Sequence, residues 1–352
     1  MKYSIIVPVY NRPDEVQELL ESLTQQTLKD FEVIIVEDGS QKPCREVCES
    51  YASRLDLHYY NKENSGPGQS RNFGAERARG EWFIVLDSDV VLPQDYLAAA
   101  DAALCVKEGQ HVPKCDAWGG PDAAHPDFTP IQKAISYAMT SFFTTGGIRG
   151  GKGAKLDKFY PRSYNMGVRD TVWRELGGFS KMRFGEDIDF SYRIVEAGYQ
   201  PQLFPDAWVW HKRRTDFRKF FRQVYNSGIA RINLEKRHPG TLKLVHLLPT
   251  LFTVGVIGLI LISAIGRVLM HYDDVHRWFW LCATPWLPII CYSLIILIDS
   301  TIQNKSLKVG LLSIPAAFVQ LMGYGLGFIE SWWKRCVLRQ DEFTAFEKNF
   351  YK

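Results

Sequence analysis

The chain has 352 residues, room for about two domains. Apolar residues make up 46% and charged residues 23%, which excludes a disordered chain, and a net charge of +3 excludes a nucleic-acid binder that works through bulk charge. The seven cysteines (Cys44, Cys48, Cys105, Cys115, Cys282, Cys291 and Cys336) form no CxxC pair, which argues against a disulfide scaffold or a zinc site and suits a reducing cytosol.

From Met1 the chain enters a strand-like run at once, so no signal peptide is expected. Tyr3–Val9 is Ile- and Val-rich and reads as a buried strand. Residues 12–26 carry Val16, Leu19, Leu20 and Leu23 at helical spacing. Phe31–Val36 is a second buried strand, closed by Glu37-Asp38-Gly39-Ser40. A helix near 45–54, a short strand near 57–60 and the loop Asn64-Ser65-Gly66-Pro67-Gly68 follow. Residues 69–79 read as a helix stopped by Gly80, and Trp82–Leu86 as a third apolar strand ending in Asp87-Ser88-Asp89. Strands alternating with helices imply a parallel sheet covered on both faces, in which ligands bind beyond the carboxyl ends of the strands. Asn11, Asp38 and the pair Asp87 and Asp89 all stand at such ends.

Residues 117–126 and 144–154 are Gly-rich. The second stretch, with Arg149, Lys152 and Lys155, is either a basic loop that closes over an anionic substrate or an ordinary surface loop. A helix is expected over 187–197 and a strand-like run over 207–210. After about residue 240 the composition breaks. Residues 244–266, 278–298 and 309–329 contain no Asp, Glu, Lys or Arg, and each is long enough to cross a bilayer. Three buried core helices would leave too little polar surface to dissolve such a bundle, so a soluble domain followed by a membrane region is expected.

Two carboxylates at i and i+2 beyond a strand end, Asp87 and Asp89, can turn toward one site and hold a hard divalent cation, although a solvated turn or helix cap uses the same residues. The chain has neither GxGxxG nor GxxxxGK[ST], which counts against a dinucleotide-binding domain and a P-loop. Glu186, Asp187 and Asp189 open a helix, where acids serve either as caps or, in apolar surroundings, as a general base. His211, before Lys212-Arg213-Arg214, is a metal ligand, a phosphate contact or a surface histidine in a basic patch.

Taken together, Pro8-Val9-Tyr10-Asn11, Glu37-Asp38-Gly39-Ser40, Gly66 with Arg71-Asn72, Asp87-Ser88-Asp89, Asn165, Gly177-Gly178-Phe179 and Glu186-Asp187 resemble a membrane-anchored family-2 glycosyltransferase over about residues 3–215. The resemblance implies the α/β GT-A fold, a Rossmann-like mixed sheet, followed by a C-terminal α-helical membrane region. It also implies a nucleotide-sugar donor, a divalent metal (Mn2+ or Mg2+) and inversion at the anomeric carbon. By resemblance, Pro8, Tyr10, Asp38, Arg71, Asp87, Ser88, Asn165, Glu186, Arg213 and Arg214 bind the donor. Asp89, Asp87 and His211 hold the metal, and Asp187 is the catalytic base. Processive cellulose- and hyaluronan-type synthases carry Gln-x-x-Arg-Trp after the acidic pair, and Arg222-Gln223-Val224-Tyr225-Asn226 lacks it. The chain therefore looks more like the single-addition enzymes that build lipid-linked or exopolysaccharide repeat units.

The expected organisation is a catalytic domain over 1–215, an amphipathic helix or linker over 216–243, a membrane region over 244–333 and a tail over 334–352. Phe217, Phe220, Phe221, Val224, Tyr225, Gly228 and Ile232 share one helical face, expected either at a lipid interface or against the catalytic domain. Positive charge between Arg213 and Lys243 places the catalytic domain in the cytoplasm, on a multi-pass protein of the cell (inner) membrane. The third apolar run, with Pro315, Gly323, Gly325 and Gly327, either crosses or returns as a broken hairpin. The expected partners are the donor, a lipid-linked glycan acceptor and membrane lipid, with no nucleic acid. The rival readings are a polyprenyl-phosphate sugar synthase, whose ionised acceptor needs no base, and a degenerate transferase domain acting as a membrane scaffold.

Overall fold

The computed structural model describes residues 1–104, 115–125, 127–145, 159–182, 184–270, 279–280 and 282–343. They form two packing units. One takes the described residues of 1–126 and 155–212, and the other those of 127–154 and 213–350. The basic residues Arg149, Lys152 and Lys155 of the expected loop, and Cys105, lie outside the described residues.

In the first unit, β1 (Tyr3–Val9), β2 (Phe31–Asp38), β3 (Leu57–Lys62) and β4 (Trp82–Leu86) are parallel, linked by α1 (Pro13–Thr24), α2 (Arg45–Tyr51) and α3 (Pro67–Ala75). Successive side chains of a strand face opposite ways, so a strand apolar throughout must be buried on both faces. Ile5, Val33 and Ile84 join a core on one face, and Ile6, Ile34 and Val85 a second core on the other. Each such side chain contributes about 1.5–3 kcal/mol when taken out of water.

The sheet is not wholly parallel. Its order is β3-β2-β1-β4-β8-β6-β9, where β6 is Ala117–Gly119, β8 is Asn165–Arg169 and β9 is Pro201–Leu203. β8 runs antiparallel to both β4 and β6, so the parallel expectation holds only as far as Leu86. Beyond it the chain passes through β5 (Val90–Val91) and α4 (Tyr96–Leu104), and β8 enters the sheet with Asn165 opposite Leu86. Two pieces of the Gly-rich stretch 117–126 are strands, β6 and β7 (Asp122–Ala123). A second sheet, β5-β10-β7, pairs β10 (Val209–His211) antiparallel with β5 and parallel with β7. The helices α7 (Asp170–Leu176) and α8 (Glu186–Glu196) complete the unit.

The second unit contains α5 (Pro130–Thr140), α6 (Phe142–Thr145), α9 (Phe217–Arg237) and three apolar helices, Leu248–Leu269, Leu287–Asn304 and Leu307–Trp332. All three are long and apolar enough to cross a membrane. The third is one continuous helix with Pro315 inside it, which corrects the broken-hairpin alternative. Phe220 and Val224 pack with Val309 and Ala316 of the third apolar helix. Contact is close because the facing residues are glycines. A Cβ on Gly228 would stand 2.2 Å from the Tyr324 carbonyl oxygen, and one on Gly327 2.0 Å from that of Tyr225. Gly323 and Gly327 thus form a small-xxx-small seam of the kind that lets membrane helices approach.

Overpacking a tight contact typically costs about 1–3 kcal/mol. Gly228→Ala should therefore lower the thermal midpoint in detergent. Gly258→Ala, where an added Cβ meets nothing within 4 Å, should not. Equal midpoints would contradict the close packing.

Candidate functional site

The site begins at the carboxyl ends of β1, β2 and β4. Asn11 adopts a left-handed φ of 56°. Its backbone N–H donates to Ser40 Oγ at 2.7 Å, and its Oδ1 accepts from the N–H groups of Gln41 and Lys42 at 2.8 and 2.9 Å. Glu37 accepts from Ser40 Oγ and from the Cys44 N–H. Asp38 accepts the N–H groups of Ser65 and Gly66, each at 2.9 Å, and an ion pair from Lys62. These residues shape the loops around the opening. Tyr10 and Pro8 are half-buried there, and Ser88 is buried.

Arg71 is the centre of a buried network. Its side chain is 4% exposed, with Nη2 2.7 Å from Asp87 and Nη1 3.1 Å from Glu186. The guanidinium lies 5.1 Å from the centre of the Phe179 ring. Phe179 is fixed in turn by Asn72, whose side chain donates to the Phe179 carbonyl and accepts from its N–H, both at 2.8 Å. Gly178, at φ 63°, leaves no room for a Cβ, which would stand 2.3 Å from Asn72 Oδ1. Burial and the neighbouring Asp187 push the Glu186 carboxyl up to about 7, against the pull of Arg71.

β5 and β10 pair so that His211 stands opposite Val90, beside the acidic turn. The ligand atoms of Asp87, Asp89 and His211 lie within 4.8 Å of one another. His211 Nε2 is 3.3 Å from Asp89 Oδ1, and its Nδ1 is 3.9 Å from Asp122 Oδ2. The ring of Tyr164 stacks on the imidazole at 5.1 Å. His211 Nδ1 is buried without a hydrogen-bond partner. Two carboxylates and an imidazole, with an orphaned ring nitrogen, fit a divalent cation. Arg12 pairs with the other oxygen of Asp89.

Glu186 is buried, whereas the Asp187 side chain is 19% exposed, with Oδ2 3.4 Å from Arg162. Glycine at the cap, Gly185, makes no side-chain capping bond, and Asp189 is tied to Arg193 at 3.0 Å. Of the three acids opening α8, Asp187 is therefore the most open.

Asn165 is fully buried, and its amide bonds the Tyr96 hydroxyl at 2.7 Å and the Ala207 carbonyl at 2.8 Å. Arg213 and Arg214 fall in the second packing unit, where the buried Arg213 directs Nε toward Ser136 of α5 at 3.5 Å. Sequence reasoning missed Arg12, Asp122, Tyr164 and Arg162. Arg12 had a usable signal, a cation directly after a strand end, but the other three owe their place to tertiary pairing.

Residues 4–106 match the family model for glycosyl transferase family 2. An uncharacterized glycosyltransferase of Haemophilus influenzae is 51% identical over 86 residues, 24% of this chain and 29% of that protein. The poly(ribitol-phosphate) beta-N-acetylglucosaminyltransferase TarS of Staphylococcus aureus is 37% identical over 112 residues, 31% of this chain and 19% of that protein. The chain thus spans less than a third of the length of these curated relatives. Among solved structures, a mannosyltransferase of Pyrobaculum calidifontis, in complex with GDP-Man and Mn2+, superposes with a TM-score of 0.56 at 19% identity, over 85% of this chain and 87% of that one. The likeness confirms the mixed α/β sheet of the GT-A fold.

Below pH about 4.5, the ordinary value for Glu, both folded and unfolded chains hold the Glu186 proton. Between there and about 7 only the folded chain does, so stability falls as pH rises through that window. Glu186→Gln should remove this slope from the thermal midpoint between those values. An unchanged slope would show that Glu186 titrates normally.

Proposed function

We propose that this protein is an inverting glycosyltransferase that moves a sugar from a nucleotide-sugar donor to the hydroxyl of a lipid-linked glycan, at the cytoplasmic face of the cell membrane. The observation that carries the reading is the convergence of Asp87, Asp89 and His211 within 4.8 Å, joined through Arg71 to the Glu186-Asp187 turn. The match of residues 4–106 to the family-2 model supports transfer from a nucleotide sugar, and the three apolar helices support an acceptor held at a membrane.

In this reading Asp89, Asp87 and His211 hold Mn2+ or Mg2+, which when bound offsets the charge developing on the departing nucleoside diphosphate. Pro8, Tyr10 and Asp38 line the nucleoside end, with Asp38 acting through the loop it anchors at Ser65 and Gly66. Arg71 positions Asp87, and Ser88 keeps the turn between the two aspartates packed. Arg12 keeps Asp89 neutralised before the donor arrives, and its guanidinium, 32% exposed, can then turn toward diphosphate oxygens. Asp187 accepts the proton of the attacking hydroxyl, while Glu186 stays buried on Arg71. A positively charged approach over 213–243 favours the cytoplasmic orientation.

Asp187→Asn keeps the shape of the side chain but removes the proton acceptor. Turnover at saturating donor should fall by about 10²–10⁴ with nucleoside diphosphate affinity retained. Asp89→Ala should instead abolish the metal dependence of that affinity in calorimetry. Turnover of Asp187→Asn within about threefold of wild type, far short of the loss of a base, would remove Asp187 from this role.

A further inference from the structure

We propose that α5 and α6, residues 130–145, form a re-entrant element that dips into the bilayer beside the second and third apolar helices and presents Phe142 and Phe143 to lipid acyl chains. The inference rests on the reading that those two helices cross a membrane.

Contacts along α5 give its path. Tyr137 donates to Asp299 of the second apolar helix at 2.6 Å, and the Tyr292 hydroxyl of the same helix donates to the Phe143 carbonyl at 3.1 Å. As α5 and α6 advance from 137 to 143, their partner retreats from 299 to 292, so the segment runs antiparallel to that helix. Seven helical residues rise about 10 Å. The polar end of the second apolar helix holds Asp299 and Gln303, bonded to each other at 2.9 Å. Phe143 therefore stands about 10 Å deeper than this polar level, in a hydrocarbon core about 30 Å thick. The third apolar helix agrees. Ala134, Ile135 and Ala138 pack with Val309 and Ala316, and Tyr137 with Ala317.

The deep end is built for an apolar solvent. Phe142 is 72% exposed and Phe143 44% exposed, and Ile290 and Leu294 of the second apolar helix are exposed too. In hydrocarbon, every backbone polar group at a helix break needs an internal partner. The break at Ser141, where the backbone turns to extended, meets that demand with hydroxyls. Thr144 Oγ1 donates to the Ala138 carbonyl at 2.6 Å and Thr145 Oγ1 to that of Ser141 at 2.9 Å. Ser141 Oγ accepts the Phe143 N–H at 3.2 Å, and Tyr292 covers the Phe143 carbonyl. An exposed turn in water needs none of these, because water supplies the bonds.

The test places a photoreactive benzophenone amino acid at Phe142 of the full chain, reconstituted in vesicles of palmitoyl-oleoyl phosphatidylethanolamine and phosphatidylglycerol. Leu311, exposed on the third apolar helix, and Glu49, exposed on α2, carry the same probe in parallel. The expected result is a one-lipid mass adduct at 142, comparable in yield to that at 311, with none at 49. An adduct at 311 but none at 142, or a crosslink from 142 to a second copy, overturns the proposal and leaves the spans standing. No lipid adduct at either 142 or 311 overturns both.

Discussion

One buried cation organises the first packing unit. Arg71 cannot lose its charge, and a guanidinium only 4% exposed must be matched by fixed anions. Asp87 meets that need and Glu186 adds an acceptor that ionises only near pH 7, so the acidic turn after β4 and the start of α8 are drawn to one point. Phe179 lies against the same guanidinium, and Asn72 locks Phe179 from the next position on α3. The Gly177-Gly178-Phe179 turn is therefore the mould in which the ion pairs set, since Gly178 leaves space for the Asn72 amide. Asp187 inherits its position from Glu186, one residue before it, and reaches the open side because its neighbour is held inside.

The parts legible in the sequence are those in which burial alone dictates structure. β1 and β4 fall at Tyr3–Val9 and Trp82–Leu86, as their unbroken apolar runs require. α3 begins two residues earlier than the expected 69–79, because Gly66 at φ 90° followed by Pro67 starts the helix, and it ends at Ala75 rather than at Gly80. Direction was not legible beyond Leu86. An antiparallel β8 has the same composition as a parallel one, and only pairing across the chain decides between them. Asn165 shows the limit for motifs. Its motif position says nothing of the Tyr96 hydroxyl and the Ala207 carbonyl that its amide bonds.

The boundary between the units was the hardest feature to read. Residues 130–145 carry ordinary apolar spacing, with no run long enough to suggest hydrocarbon, yet they pack among the apolar helices. α9 looked amphipathic, and Phe220 and Val224 of its apolar face pack with Val309 and Ala316 of the third apolar helix. The glycine pattern of the third apolar helix carried the information. Gly323 and Gly327 are spaced for a close partner, and Gly228 on α9 is its counterpart.

The cation site is the claim on which the proposed chemistry stands. His211 is its most distinctive member, since its imidazole Nε2 lies 3.3 Å from Asp89 in a cluster with the Asp87 carboxylate. Pulsed electron paramagnetic resonance of the protein loaded with one equivalent of Mn2+ and a nucleoside diphosphate reads the ligands directly. A nitrogen modulation from a coordinated imidazole, lost in His211→Gln, is the predicted result. Bound Mn2+ with no imidazole nitrogen, or a modulation that survives His211→Gln, would contradict the site.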